Sequence, residues 1–103
     1  RQMRRECSRL RAFMKELTTD QLHHIKLMAQ DAARIYGGEW DSALVGNPAG
    51  NYHALTSEHT NGVVVRTADD SLQSSWLCDY LESVSPGAVI ALIDEVLAAR
   101  SSR

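Results

Sequence analysis

His53, His59, Asp69 and Asp70 are the residue types that general acid–base chemistry or metal binding would use, and they fall within one short stretch of the chain. Their spacing matches no zinc-ligand pattern, and Asp69-Asp70-Ser71 reads more naturally as a polar loop capping the element that follows. His23 and His24 are adjacent, and neighbours on a helix diverge by about 100°, so they cannot converge on one ion. Gly46-Asn47-Pro48-Ala49-Gly50-Asn51 contains glycines but lacks the Lys and Ser/Thr ending of a phosphate-cradling loop and leads into no helix; it is expected to be an exposed turn. Cys7 and Cys78 lie far apart without nearby ligand partners, which favours reduced, apolar roles in a cytoplasmic protein over a disulfide. No catalytic residue, cofactor site or metal site is therefore assigned, and an enzyme is not expected.

Charge is distributed unevenly. Up to Glu16 the basic residues Arg1, Arg4, Arg5, Arg9, Arg11 and Lys15 face only Glu6 and Glu16, whereas acidic residues dominate from Asp20 to Glu95. Within that basic stretch Met3, Cys7, Leu10, Met14 and Leu17 recur at alternating steps of four and three, which keeps one seam of a helix apolar. Three uses fit this helix, expected over residues 1–16. The seam can pack on its own domain or on a second copy, and the six basic residues can contact nucleic-acid phosphates.

The rest of the chain supplies the elements. Thr18 and Gln21 have the spacing of a capping box, Leu17 and Leu22 that of a hydrophobic staple, and Gly37-Gly38 a stop, so a second helix is expected over Thr19–Tyr36. Its apolar stripe is Leu22, Ile25, Met28 or Ala29, Ala32, and Ile35 or Tyr36. A strand over Trp40–Val45 is followed by a hairpin of Tyr52–Glu58 and Val63–Thr67 turning at Asn61-Gly62. Val63-Val64-Val65 suggests a strand covered on both faces. Trp76, Leu77, Tyr80, Leu81 and Val84 share one face at helical spacing, which predicts a third helix from about Ser75 to Ser83 capped by Ser74 or Ser75, with a strand as the competing reading. Ser85 and Pro86 then start a final helix that buries Val89, Leu92, Ile93, Val96 and Leu97 and acts as the packing centre for the second helix, the Trp76 segment and one sheet face.

These elements describe an α+β fold of about four helices with a small antiparallel sheet of two or three strands. With 103 residues it forms one domain, a basic N-terminal helix preceding the body at 17–100. A hydrophobic content of 44% and a charged content of 23% are those of a globular protein, and no apolar run is long enough for a membrane span. Arg1 stands where a Met would open a chain and no leader pattern follows, so a piece of a longer protein is the expectation.

The block Leu17-Thr18-Thr19-Asp20-Gln21-Leu22 with its helix, then Ala32-Ala33, Gly38-Glu39-Trp40 and the run Ser85-Pro86-Gly87-Ala88-Val89-Ile90-Ala91-Leu92-Ile93-Asp94-Glu95 resemble the N-terminal region of the Ead-like early proteins of temperate lambdoid bacteriophages and prophages. The resemblance covers both ends of residues 17–100 but not the middle. Family members commonly begin near the equivalent of Leu17, and many continue past that of Arg100 into a charged coiled coil. The resemblance implies an early accessory or regulatory protein of the bacterial cytoplasm, without established catalytic residues. A non-enzymatic module binding itself and a host or phage protein follows, with Trp40, Tyr52 and Trp76 joining the seam as candidate anchors where exposed. The alternative is nucleic-acid binding through the basic helix.

Overall fold

The computed structural model describes residues 16–102, in the order α1 (Thr19–Tyr36), β1 (Asp41–Asn47), β2 (Gly50–Ser57), β3 (Gly62–Arg66), α2 (Leu72–Ser83) and α3 (Pro86–Ser101). The α+β expectation holds, with three helices and a three-stranded antiparallel sheet among the described residues. The helix expected over residues 1–16 lies outside them, apart from Glu16.

α1 has the bounds its caps dictate. The Gln21 N–H donates to Thr18 Oγ1 at 3.0 Å, and the Thr18 N–H donates back to Gln21 Oε1 at 2.8 Å. At the other end Gly37 donates its N–H to the Ala33 carbonyl at φ +89°, and a Cβ there would sit 2.6 Å from Ser57 Oγ and 2.7 Å from His59 Cβ. Only glycine fits both the conformation and the space. α1 runs antiparallel to α3: Arg100 Nη1 donates to Thr19 Oγ1, Lys26 pairs with Asp94 at 2.6 Å, and the Gly87 N–H donates to the Gly38 carbonyl at 2.8 Å. Ala29, Ala32 and Ala33 lie half-buried, whereas Met28, Ile35 and Tyr36 are exposed, so small residues set the closeness of this pair.

The sheet has the order β1-β2-β3. β1 and β2 pair from Asp41↔Thr56 to Asn47↔Gly50, so most of the expected Gly46–Asn51 loop is ladder and the turn shrinks to Pro48-Ala49. Asn47 Oδ1 accepts from the Ala49 N–H at 2.9 Å, the side chain imitating a backbone turn. The second hairpin does not turn on Asn61-Gly62. Ser57 pairs with Gly62, the loop is Glu58–Asn61, and only Asn61 takes a left-handed φ of 55°. β3 is an edge strand with Val63 and Val65 exposed, which corrects the expectation that it is covered twice. That role belongs to β2, where adjacent Ala54 and Leu55 point to opposite faces and neither keeps exposed surface.

α2 packs on β1 and β2, and it departs most from expectation. It starts at Leu72 because Ser71 caps it, accepting from the Ser74 N–H at 3.2 Å. Its inward residues are Ser74, Ser75, fully buried Cys78 and Leu81, while Trp76, Leu77 and Tyr80 turn outward. Small side chains let the helix axis approach the sheet, and the bulky face cannot occupy the same gap. α3 is likewise no centre for the sheet, since its principal packing partner is α1. Of its expected face Ile93 is buried and Val89 and Leu97 are half-buried, but Leu92 and Val96 are exposed. Ser85 makes no side-chain cap. Its hydroxyl accepts from the Trp40 N–H at 3.1 Å and donates to the Glu82 carbonyl at 2.7 Å, joining α2, α3 and the chain entering β1.

Candidate functional site

The aromatic candidates divide. The Trp40 indole Nε1 donates to the Gly37 carbonyl at 3.1 Å and the Tyr36 carbonyl at 3.3 Å, so its half-buried ring braces the junction between α1 and β1. Tyr52 is buried, with the Arg66 guanidinium stacked 3.8 Å from its ring centroid. Trp76 alone presents an open aromatic face, 60% exposed. Leu72 at 61% and Tyr80 at 62% stand one turn before and after it, and Leu77 at 50% beside them. Aromatic and aliphatic side chains on this surface are rimmed on α2 by Asp79 and Glu82, with no basic residue on the helix.

A second apolar feature lies between α1 and α3. Leu17, Leu22 and Ile25 on one side and Val89, Leu92, Ile93 and Val96 on the other form a wholly apolar groove. Leu22 and Ile93 are its floor, and Leu92 at 56% exposure stands on its open rim. Leu17 is held here because Arg100 Nη2 donates to its carbonyl at 2.6 Å. Of the expected seam, only Leu17 is among the described residues; Met3, Cys7, Leu10 and Met14 lie outside them, as do Arg1, Arg4, Arg5, Arg9, Arg11 and Lys15.

Of the residues with chemical potential, Asp69 has a structural role. Asp69 Oδ1 accepts from the Ser71 N–H at 3.0 Å and the Ser74 hydroxyl at 2.8 Å, as the capping-loop reading requires. The Ser71 hydroxyl and backbone N–H, then the Ser74 hydroxyl, and least the positive field of His53 hold its carboxyl below the ordinary value, against a small opposing effect of burial. His53 engages Asp69 through the backbone, its N–H donating to the Asp69 carbonyl at 3.1 Å. His59 instead lines a polar cleft with Glu39, Asp41, Ser57 and Glu58, which contains neither His53 nor Asp69. No group of three or more His, Cys, Asp or Glu among the described residues is placed to hold a metal. Cys78 is a free thiol, pushed above its ordinary value by burial and secondarily by Asp79, a state unsuited to nucleophilic attack.

Comparison with family models, with curated proteins and with solved structures returns no match for this chain. Sequence reasoning missed Leu72 and left open whether the Trp76 face turns inward or outward. The available signal was the run Ser71, Ser74, Ser75 and Cys78, a stripe of small residues at helical spacing that competes with the bulky stripe for the inward side. No described helix is long and apolar enough to cross a membrane.

Proposed function

We propose that the chain is a non-enzymatic protein-interaction module, an early accessory or regulatory protein of a temperate bacteriophage or prophage. It acts in the host cytoplasm by docking copies of itself and a further protein partner. The observation that carries this reading is the outward face of α2, where Leu72, Trp76, Leu77 and Tyr80 are each at least half exposed while small residues face the sheet. A helix that turns its largest apolar side chains to water leaves about half of their transfer free energy unused within its own fold. Covering the four contributes on the order of 5 kcal/mol gross, counting about half a side chain's transfer free energy for each. Association entropy consumes much of that, so this face alone supports weak association and a tighter complex must recruit neighbouring surface.

The phage assignment rests on the sequence resemblance alone, and the blocks that carry it meet in space. Gly38 and Gly87 share a backbone hydrogen bond, and the Ser85 hydroxyl accepts from the Trp40 N–H, so the blocks form one packed unit. The nucleic-acid alternative rests on the basic residues of the N-terminal stretch, while the remainder of the chain carries five basic against eleven acidic residues and repels phosphate.

Light scattering on the whole chain tests the reading. Wild type is expected to show a mass above that of one chain that falls on dilution. Trp76→Glu is expected to give a monomer with unchanged helix content and stability within about 0.5 kcal/mol, as for a surface site. A wild-type chain that stays monomeric at every concentration, and that retains no protein from infected cells, would overturn it.

A further inference from the structure

The groove between α1 and α3 differs from the α2 face in one respect: the chain itself enters it. Leu17 lines its edge, and Arg100 clamps the Leu17 carbonyl there at the C-terminal end of α3. From that point the groove runs back along α3 from Val96 to Val89. We propose that the N-terminal stretch of the same chain fills this groove, Met14, Leu10 and Cys7 lying along Val96, Leu92 and Val89 and completing a three-helix layer with α1 and α3.

Three observations converge. The first is length. Val89 to Val96 spans seven residues, about 10 Å at the helical rise, and Cys7 to Met14 spans the same seven. The second is pattern, because Met3, Cys7, Leu10 and Met14 have the spacing of one apolar helix seam, and the connection that follows already places Leu17 in the groove. The third is charge, since six basic residues against two acidic up to Glu16 meet a body with the opposite excess. The occupant is the chain's own stretch rather than a second copy's because Met14 stands three residues before an anchored residue. Its effective concentration at the groove is on the order of millimolar, well above working protein concentrations. The stretch enters at the C-terminal end of α3 and runs parallel to α3 and antiparallel to α1, the arrangement a two- to five-residue connection into α1 favours. This inference is independent of the α2 reading, and it removes the seam from the surface available to partners.

Cys7 supplies the test. In the full chain carrying Val89→Cys, mild oxidation is expected to form a disulfide within one chain, and to do so at least tenfold faster than in a control carrying Val63→Cys on β3. Cys78 is fully buried and does not compete. The product is read by mass and by migration on a non-reducing gel. Disulfide-linked dimers as the main product of Val89→Cys, equal rates at the two positions, or no cross-link at all would each overturn the proposal. A second measurement leaves the described residues unchanged: Leu10→Asp is expected to raise the fluorescence of an apolar dye several-fold by uncovering the groove, and an unchanged signal would count against it.

Discussion

The sheet with α2 and the pair α1–α3 expose similar kinds of apolar side chain for different reasons. In the sheet half Ala54, Leu55 and Cys78 have essentially no exposed surface and Tyr52 is closed over by Arg66, so its core is complete before any partner arrives. In the helical pair only Leu22, Pro86 and Ile93 are buried, and Leu92 and Val96 flank an open channel. Exposed Trp76 therefore lies outside a finished core, whereas exposed Leu92 lies inside an unfinished one. A finished core with a surplus face offers a surface to another molecule, and the open groove is the one that our proposal fills with the chain's own N-terminal stretch. Exposure alone does not separate the two cases; the state of the core beneath does.

The sharpest way to break that contrast is at Leu55, the largest side chain in the sheet half with no exposed surface. Leu55→Ala leaves a cavity that a strand covered on both faces cannot easily collapse, and the expected loss is about 3 kcal/mol, read from the urea midpoint. Against a total of about 5–10 kcal/mol for a domain of this size, that is a large fraction. A loss below about 1 kcal/mol would show that the sheet half is no better closed than the helical pair.

Legibility in the sequence follows the range of the forces involved. α1 was readable to its last residue because Thr18, Gln21 and Gly37 act within one turn of the backbone they terminate. Pro86 marked the start of α3 for the same local reason. What failed depended on what lies across a gap. Trp76, Leu77 and Tyr80 have the spacing of a buried stripe, but the distance at which α2 meets the sheet is set by Ser74, Ser75 and Cys78, and only the smaller stripe fits. Val63 to Val65 have the composition of a central strand, but strand order decides that they form an edge. Ser85 has the identity of a cap, and its hydroxyl is taken by Trp40, forty-five residues earlier. The candidate surface was thus legible in its residue types and illegible in its direction.

The two halves also start their helices differently, and the next prediction uses that. α1 begins on a neutral capping box, while the loop before α2 adds an ionised carboxylate to a serine cap. Thr18→Ala removes a side-chain acceptor and leaves the Gln21 N–H unpaired within the fold, at an expected cost of about 1 kcal/mol. Neither partner titrates, so that cost is expected to be the same in urea titrations at pH 7 and pH 4.

Asp69→Asn is expected to behave otherwise and to have the smaller effect, because the carboxylate is open to solvent. Hydrogen bonds from Ser71 and Ser74 lower its folded value beneath the ordinary one, so the unfolded chain binds a proton more readily. The contribution of Asp69 is therefore complete above the unfolded value, about 3.9, and is lost as pH falls through the still lower folded value. The gap in urea midpoint between wild type and Asp69→Asn is expected to be constant from pH 7 to about pH 5 and to narrow below pH 4, while the gap for Thr18→Ala stays fixed. A gap for Asp69→Asn that does not narrow in acid would mean that the serine hydroxyls hold the protonated carboxyl as well as the ionised one. The two helix starts would then differ in residue type alone and not in how they respond to pH.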